Sequence, residues 1–218
     1  VNKLRISELL RARRLQLLAL GVVAVGAFVK LTSELREGEL DAFDRTVLLG
    51  AASLRTPHAN AMAVDLTALG SVTVITMVVL VVSLFLYLER HRRELLQLLL
   101  ASIGGAVWTA LLKNVLERER PSEIPRLVEV AGFSYPSGHS LTSAAVYLTL
   151  AFLACHRLRT SRRKAVVIAV ALTIVASIGF SRAYLGVHYP TDVAAGLLLG
   201  SGWALLVAAT LRRAELED

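Results

Sequence analysis

Three short clusters carry residue types able to do chemistry together: Lys113 with Arg120, then Ser137-Gly138-His139, then Arg182 with His188 and Asp192. They supply a nucleophile, a proton donor and a cationic cradle suited to a phosphoryl group. His188 and Asp192 stand four apart, so a helical turn puts them on one face. A carboxylate beside an imidazole fixes its tautomer, which leaves the other ring nitrogen free to attack an electrophile. Pro190 marks the start of a helix with Asp192 in its first turn, where negative charge is favourable, so Asp192 can cap that helix as well.

His139 follows Pro136-Ser137-Gly138 at the start of an apolar segment, where backbone N–H groups are available to an anion and glycine permits close approach. From there an imidazole can give a proton to a departing alkoxide and later take one from water. Lys113, Arg120 and Arg182 suit a transferring phosphoryl group, which spreads its charge over three equatorial oxygens. Lys113 lies at the end of an apolar segment, where an ammonium needs either a nearby anion or an escape to the interface.

The elements that position these groups are membrane spans. The 218 residues are 55% hydrophobic and 19% charged, and the mean hydropathy is +0.60. The apolar excess is gathered in long runs rather than spread at amphipathic spacing, which excludes a soluble globule. Six windows approach the ~20 residues that a spanning helix needs: 15–32, 67–88, 95–116, 140–155, 165–181 and 193–211. The second, Thr67 to Leu88, contains no charge at all. The fold expected is all-α, a six-helix transmembrane bundle, with the chain 1–218 forming a single membrane-embedded domain.

Basic residues fix the orientation, because positively charged loops stay cytoplasmic. With six spans both termini share a side, and that side collects fifteen of the 24 Lys and Arg residues, including Arg11, Arg13, Arg14, Arg90, Arg92, Arg93, Arg157, Arg159, Arg162, Arg163, Lys164, Arg212 and Arg213. Both termini are therefore expected in the cytoplasm, and all three clusters at the extracytoplasmic face of the cell's inner (plasma) membrane. The net charge of +7 is explained by this topology, and nucleic acid is not an expected partner, since the basic groups flank spans instead of forming one stripe with interleaved aromatics. The run Leu15–Leu31 is long for a secretory signal and reads as an uncleaved anchor, with Arg13-Arg14 as ordinary topology determinants.

Between the first two spans, residues 33–60 place Leu35, Leu40, Phe43, Val47 and Leu48 among acidic residues, a pattern of short interfacial helices. The acidic pair Asp41 and Asp44 reads as a solvated face. Cys155 is the single cysteine, and no His/Cys pair has the spacing of a structural zinc site, so neither disulfide nor metal nor cofactor is expected. Gly104-Gly105 and Gly196 with Gly200 read as places of close helix packing.

Taken in order, Lys113-x6-Arg120-Pro121, Pro136-Ser137-Gly138-His139 and Ser181-Arg182-x5-His188-x3-Asp192 resemble the three signatures of the type 2 phosphatidic acid phosphatase family, with no signature position departing from the pattern. The resemblance covers residues 113–192, and the six-span layout agrees with the membrane branch of that family. It implies a metal-independent phosphatase in which His188 attacks phosphorus, Asp192 supports it and His139 protonates the leaving group. Lys113, Arg120, Ser137, Gly138 and Arg182 would hold the phosphoryl oxygens. The expected substrate is a lipid phosphate or pyrophosphate drawn from the bilayer, such as undecaprenyl pyrophosphate, phosphatidylglycerophosphate or phosphatidic acid. Other readings are a lipid A phosphatase, a phosphotransferase, a soluble-substrate enzyme, a vanadium-dependent haloperoxidase of the same superfamily, or a non-catalytic lipid-binding or transport protein. The six spans argue against the haloperoxidase. Transport is disfavoured because no span carries an ionisable residue near its middle.

Overall fold

A computed structural model describes residues 2–211, and among these the only regular elements are helices. Eight helices follow in order: α1 (Asn2–Arg36), α2 (Asp41–Ser53), α3 (Pro57–Ala68), α4 (Val72–Leu88), α5 (Arg92–Leu116), α6 (Gly138–Arg157), α7 (Ser161–Tyr184) and α8 (Pro190–Leu211). Five are long and apolar enough to cross a bilayer: α1 over Arg11–Arg36, α5, α6, α7 and α8. The bent pair α3 and α4 makes a sixth if counted as one span. Arg212 and Arg213, expected on the cytoplasmic side, lie outside the described residues.

The second span departs from the continuous run expected over 67–88. It breaks between Ala68 and Val72 and bends by 42°. With 17 residues, α4 reaches only about 26 Å at ~1.5 Å per residue, short of a ~30 Å hydrocarbon core. The length is made up by α3, which the apolar pattern alone had cut off at Thr67. At the break, the Ser71 side chain accepts the Val74 N–H and so caps α4. Gly70 sits in close contact with two other helices: a Cβ there would come within 2.6 Å of Ile178 and 3.2 Å of the His139 ring.

The interior is built around α6 and α8, the most enclosed of the spanning helices. Gly196 and Gly200 allow this approach, since a Cβ at Gly196 would lie 2.6 Å from the Ser137 carbonyl and one at Gly200 would strike the Leu141 carbonyl. Gly104 likewise lies against the Trp203 indole, and Gly105 against Ala145 and Leu141. Around this pair, Ala144, Leu148, Val175 and Ala204 form one buried cluster, while Phe28, Tyr135, Leu141 and Leu199 form another.

Short turns join α4 to α5 and α6 to α7 at one end of the bundle, and both are rich in arginine. The end of α5, the start of α6, the end of α7 and the start of α8 therefore meet at the opposite end. The interfacial helix α2 lies there too, packed against α7 and α8. Its buried residues, Asp44, Leu48 and Ala51, form one stripe at helical spacing. Asp41 is exposed as expected, but Asp44 is not on a solvated face: it is 1% exposed and faces the bundle. The correction has a physical reason, because two groups from distant segments neutralise and bond its carboxylate.

Candidate active site

At its C-terminal end α5 presents Lys113 and then turns sharply, with Glu117 in the left-handed region at φ 43°. The following loop is closed on itself by Ser134, whose N–H donates to the Arg118 carbonyl at 2.8 Å and whose hydroxyl donates to the Glu119 carbonyl at 2.8 Å. Lys113 Nζ donates to the Phe133 carbonyl at 2.8 Å. All five N–H groups of Arg120 have partners: Nε bonds the Gly132 carbonyl, Nη2 those of Ala131 and Phe133, and Nη1 the Val187 carbonyl and His188 Nε2. Burial lowers the pKa of Arg120 from its usual value, against the pull of Asp192.

Ser137 is fully buried and caps α6, accepting the Ser140 N–H at 3.4 Å and the Ser140 hydroxyl at 3.0 Å. Its own N–H donates to the Asp192 carbonyl at 3.0 Å, which ties the start of α6 to the start of α8. Gly138 opens the helix against Thr109, whose methyl would sit 2.9 Å from any Cβ added there. His139, in the first turn, lies within electrostatic reach of Arg182, His188, Lys113 and Arg120.

In the last turn of α7, Arg182 is 3% exposed; its Nη1 donates to the Thr67 hydroxyl at 2.9 Å, and its Nε is buried without a hydrogen-bond partner in the protein. His188 is buried in the short α7–α8 connection. A guanidinium can only donate, so the 3.2 Å contact from Arg120 makes Nε2 the lone-pair nitrogen and assigns the ring proton to Nδ1. Nδ1 lies 3.4 Å from Asp192 Oδ2, too poorly aligned for a full hydrogen bond. Burial pushes the imidazole down to about 4, Arg182 and Arg120 push the same way, and Asp192 opposes them.

Asp192, wholly buried, uses both oxygens. Oδ2 accepts the Tyr189 N–H at 2.8 Å, which is half of a capping box on α8. Oδ1 accepts Arg118 Nη1 at 2.6 Å. Asp192 thus caps the helix and faces the imidazole at once. All eight residues singled out from sequence meet at this end of the bundle, from α5, the α5–α6 loop, α6, α7, the α7–α8 connection and α8.

Comparison with known proteins agrees with that architecture. Residues 94–215 match the PAP2 superfamily. The chain belongs to the PAP2 superfamily. Phosphatidylglycerophosphatase B of Bacillus subtilis (strain 168) is 32% identical over 174 residues, covering 79% of this chain and 85% of that protein. An undecaprenyl-diphosphatase of Sulfolobus acidocaldarius is 32% identical over 126 residues, covering 56% of this chain and 57% of its own. The crystal structure of a transmembrane PAP2-type phosphatidylglycerolphosphate phosphatase from Bacillus subtilis superposes with a TM-score of 0.81 at 29% identity, covering 87% of this chain and 94% of that one. The chain is accordingly a multi-pass membrane PAP2 lipid phosphatase, a phosphoric ester hydrolase.

Several residues at this PAP2 site were missed in the sequence. Arg118 stands two positions before Arg120 and reaches Asp192. Thr67 and Gly70, at the break in the second span, touch Arg182 and His139. Asp44 and Thr191 bond each other and Arg118. Only Asp44 left a usable signal: it shares the i, i+4, i+7 stripe of Leu48 and Ala51, so it falls on the apolar face of α2.

Proposed function

We propose that this PAP2 enzyme hydrolyses the phosphomonoester or diphosphate of a membrane lipid at the extracytoplasmic face, through a phosphohistidine formed at His188. Candidate lipids are undecaprenyl pyrophosphate, phosphatidylglycerophosphate and phosphatidic acid. The observation that carries the reading is the state of His188: a neutral imidazole with its Nε2 lone pair turned toward Arg120 and Asp192 behind Nδ1. Nε2 attacks phosphorus, a P–N bond forms, and the bond to the lipid oxygen breaks. His139 gives that oxygen its proton. Water activated by His139 then attacks phosphorus, the P–N bond breaks, and inorganic phosphate leaves.

Lys113, Arg120 and Arg182, with Ser137 and the backbone at Gly138, hold the phosphoryl oxygens. Lys113 and Arg120 exchange carbonyl partners for an anionic oxygen, a change favoured because charge-assisted hydrogen bonds are the stronger. Three cations crowded at one point repel a divalent metal and already neutralise the substrate, which supports metal-independent catalysis. A lipid substrate is supported by an apolar cleft of about 280 Å³ between α4, α5 and α6, lined by Val72, Ile75, Val79, Ile103 and Thr142 among others. Thr142, which lines the cleft, stands one turn along α6 from Gly138 and donates its hydroxyl to the Gly138 carbonyl at 2.7 Å. We read residues 1–218 as one phosphatase domain. The arginine-rich turns at the far end of the bundle support a cytoplasmic location for that end and for both termini.

The reading is tested by inorganic phosphate release from a panel of lipid mono- and diphosphates, using purified protein with chelator present and His188→Ala as control. Activity on one or more of these lipids, resistant to chelator and absent in the variant, is expected. Silence of folded protein across the panel, or loss with chelator and rescue by a divalent ion, would overturn it. For sidedness, Glu123→Cys in a Cys155→Ser background should react with a membrane-impermeant thiol reagent in intact cells. Labelling only after lysis would invert the topology.

A further inference from the structure

Behind Asp192 a second carboxylate and a cation form a chain that ends on an interfacial helix. Arg118 Nη1 donates to Asp192 Oδ1 at 2.6 Å and to the Thr191 hydroxyl at 2.8 Å, while its Nη2 donates to Asp44 Oδ2 at 2.8 Å. The guanidinium also stacks 4.1 Å over the Tyr189 ring. Asp44 in turn accepts the Thr191 N–H at 2.9 Å and the Thr191 hydroxyl, serving as a remote cap for the first turn of α8. Burial weakens the charge on Arg118, but Asp192 and Asp44 outweigh it and hold the guanidinium above its usual pKa.

A buried carboxylate rotates unless both oxygens are held. The Tyr189 N–H holds Oδ2, and Arg118 alone among the described side chains holds Oδ1. Arg118 is itself a long side chain, fixed by its bond to Asp44 and by the Tyr189 ring. The charged and titratable groups that act on His188 come from α6 (His139), the α5–α6 loop (Arg120), α7 (Arg182) and α8 (Asp192). None comes from α2. α2 therefore reaches the imidazole through Asp192, by way of Arg118 and of the Thr191 bonds at the first turn of α8.

We propose that Arg118 and Asp44 are positioning residues for the reactive histidine, acting through Asp192, so that α2 belongs to the catalytic scaffold. Asp44 lies outside residues 94–215, the stretch that matches the PAP2 superfamily. The inference rests on the reading of His188 as nucleophile.

The test compares Arg118→Met, Arg118→Lys, Asp44→Asn and the double variant Asp44→Asn/Arg118→Met with the full-length native enzyme, using phosphohistidine formation, kcat, KM and the pH profile of kcat/KM. Arg118→Met is expected to lose about 10–100-fold in kcat, the scale of a reacting group displaced by around 1 Å, with KM within about two-fold. Without the guanidinium, Asp192 loses the cation bonded to it; the imidazole facing that carboxylate then holds a proton more tightly, and the acid limb moves to higher pH. Arg118→Lys should recover part of kcat, and the double variant should lose less than the product of the two single losses, since the two residues share one chain to Asp192. Asp44→Asn, close in shape to the native residue, keeps the test alive if Arg118→Met fails to fold. Unchanged kcat and pH profile in folded variants, beside a native enzyme that forms phosphohistidine, would overturn this inference alone. A native enzyme that turns over without phosphohistidine would overturn the nucleophile reading, and this inference with it.

Discussion

The two sides of Asp192 are built on opposite principles. Behind it, Arg118, Asp44, Thr191 and the Tyr189 N–H form a closed set in which both carboxylates are bonded and one guanidinium serves the two of them. In front, Lys113, Arg120 and Arg182 converge on two histidines, the cations lean on backbone carbonyls and a threonine, and Arg182 Nε is buried without a partner. Leaving buried polar groups unmatched costs about 1–3 kcal/mol each. At Arg182 an anion held among the three cations would remove that cost. The rear therefore resembles a core that fixes geometry, and the front is an excess of positive charge that an anion completes.

The sharpest break in that comparison is at the proposed nucleophile. His188→Ala should lower turnover by roughly 10⁴-fold or more, read as phosphate release, while substrate binding persists through the three cations. Next come the front cations: Arg182→Met or Lys113→Met should each cost on the order of 10²–10³ in kcat/KM, as loss of a preorganised charge contact does. The rear variants described above should lose less, about 10–100-fold, and mainly in kcat. A front cation whose loss left KM and kcat alike unchanged would erase the distinction between the two sides.

A smaller effect is expected from pH. The proposed attack by His188 needs its ring unprotonated, and its pKa is pushed below the ordinary 6.5 to about 4. The acid limb of kcat/KM should therefore stay flat from pH 7 to about 5 and reach half near 4. A limb centred near 6.5 would mean that the imidazole is solvated as an exposed one. Smallest of all on activity is a packing change far from the chemistry: Gly104→Val places a side chain against the Trp203 indole and should lower Tm by a few degrees, since overpacking costs about 1–3 kcal/mol. Turnover of the folded fraction should change less than about two-fold.

Much of this architecture was legible because its signals are local. Each cluster lies within a few residues at a helix end, and the apolar runs mark five of the spans close to their observed limits. The second span was misjudged because hydropathy registers apolar length and is blind to direction: the bend falls at Gly70, where Ile178 and His139 from other helices leave no room for a Cβ. Asp44 was misread because its cation, Arg118, is 74 positions away and its other partner, Thr191, is 147 away, so nothing nearby announces that its charge is matched. Arg118 was passed over because it stands among Glu117, Glu119 and Arg120, where a loop charge ordinarily faces water. Long-range pairing of buried charges was the part that needed coordinates.

The most direct test of the central claim is to trap the covalent enzyme. His139→Ala should be mixed with an aryl phosphate, whose leaving group needs no proton, quenched in alkali to preserve a P–N bond, and digested for mass spectrometry. A phosphate on the peptide bearing His188, accumulating in His139→Ala and absent from His188→Ala, is the expected result. Turnover by the native protein with no phosphate on His188 at any quench time would contradict it and point to direct attack by water.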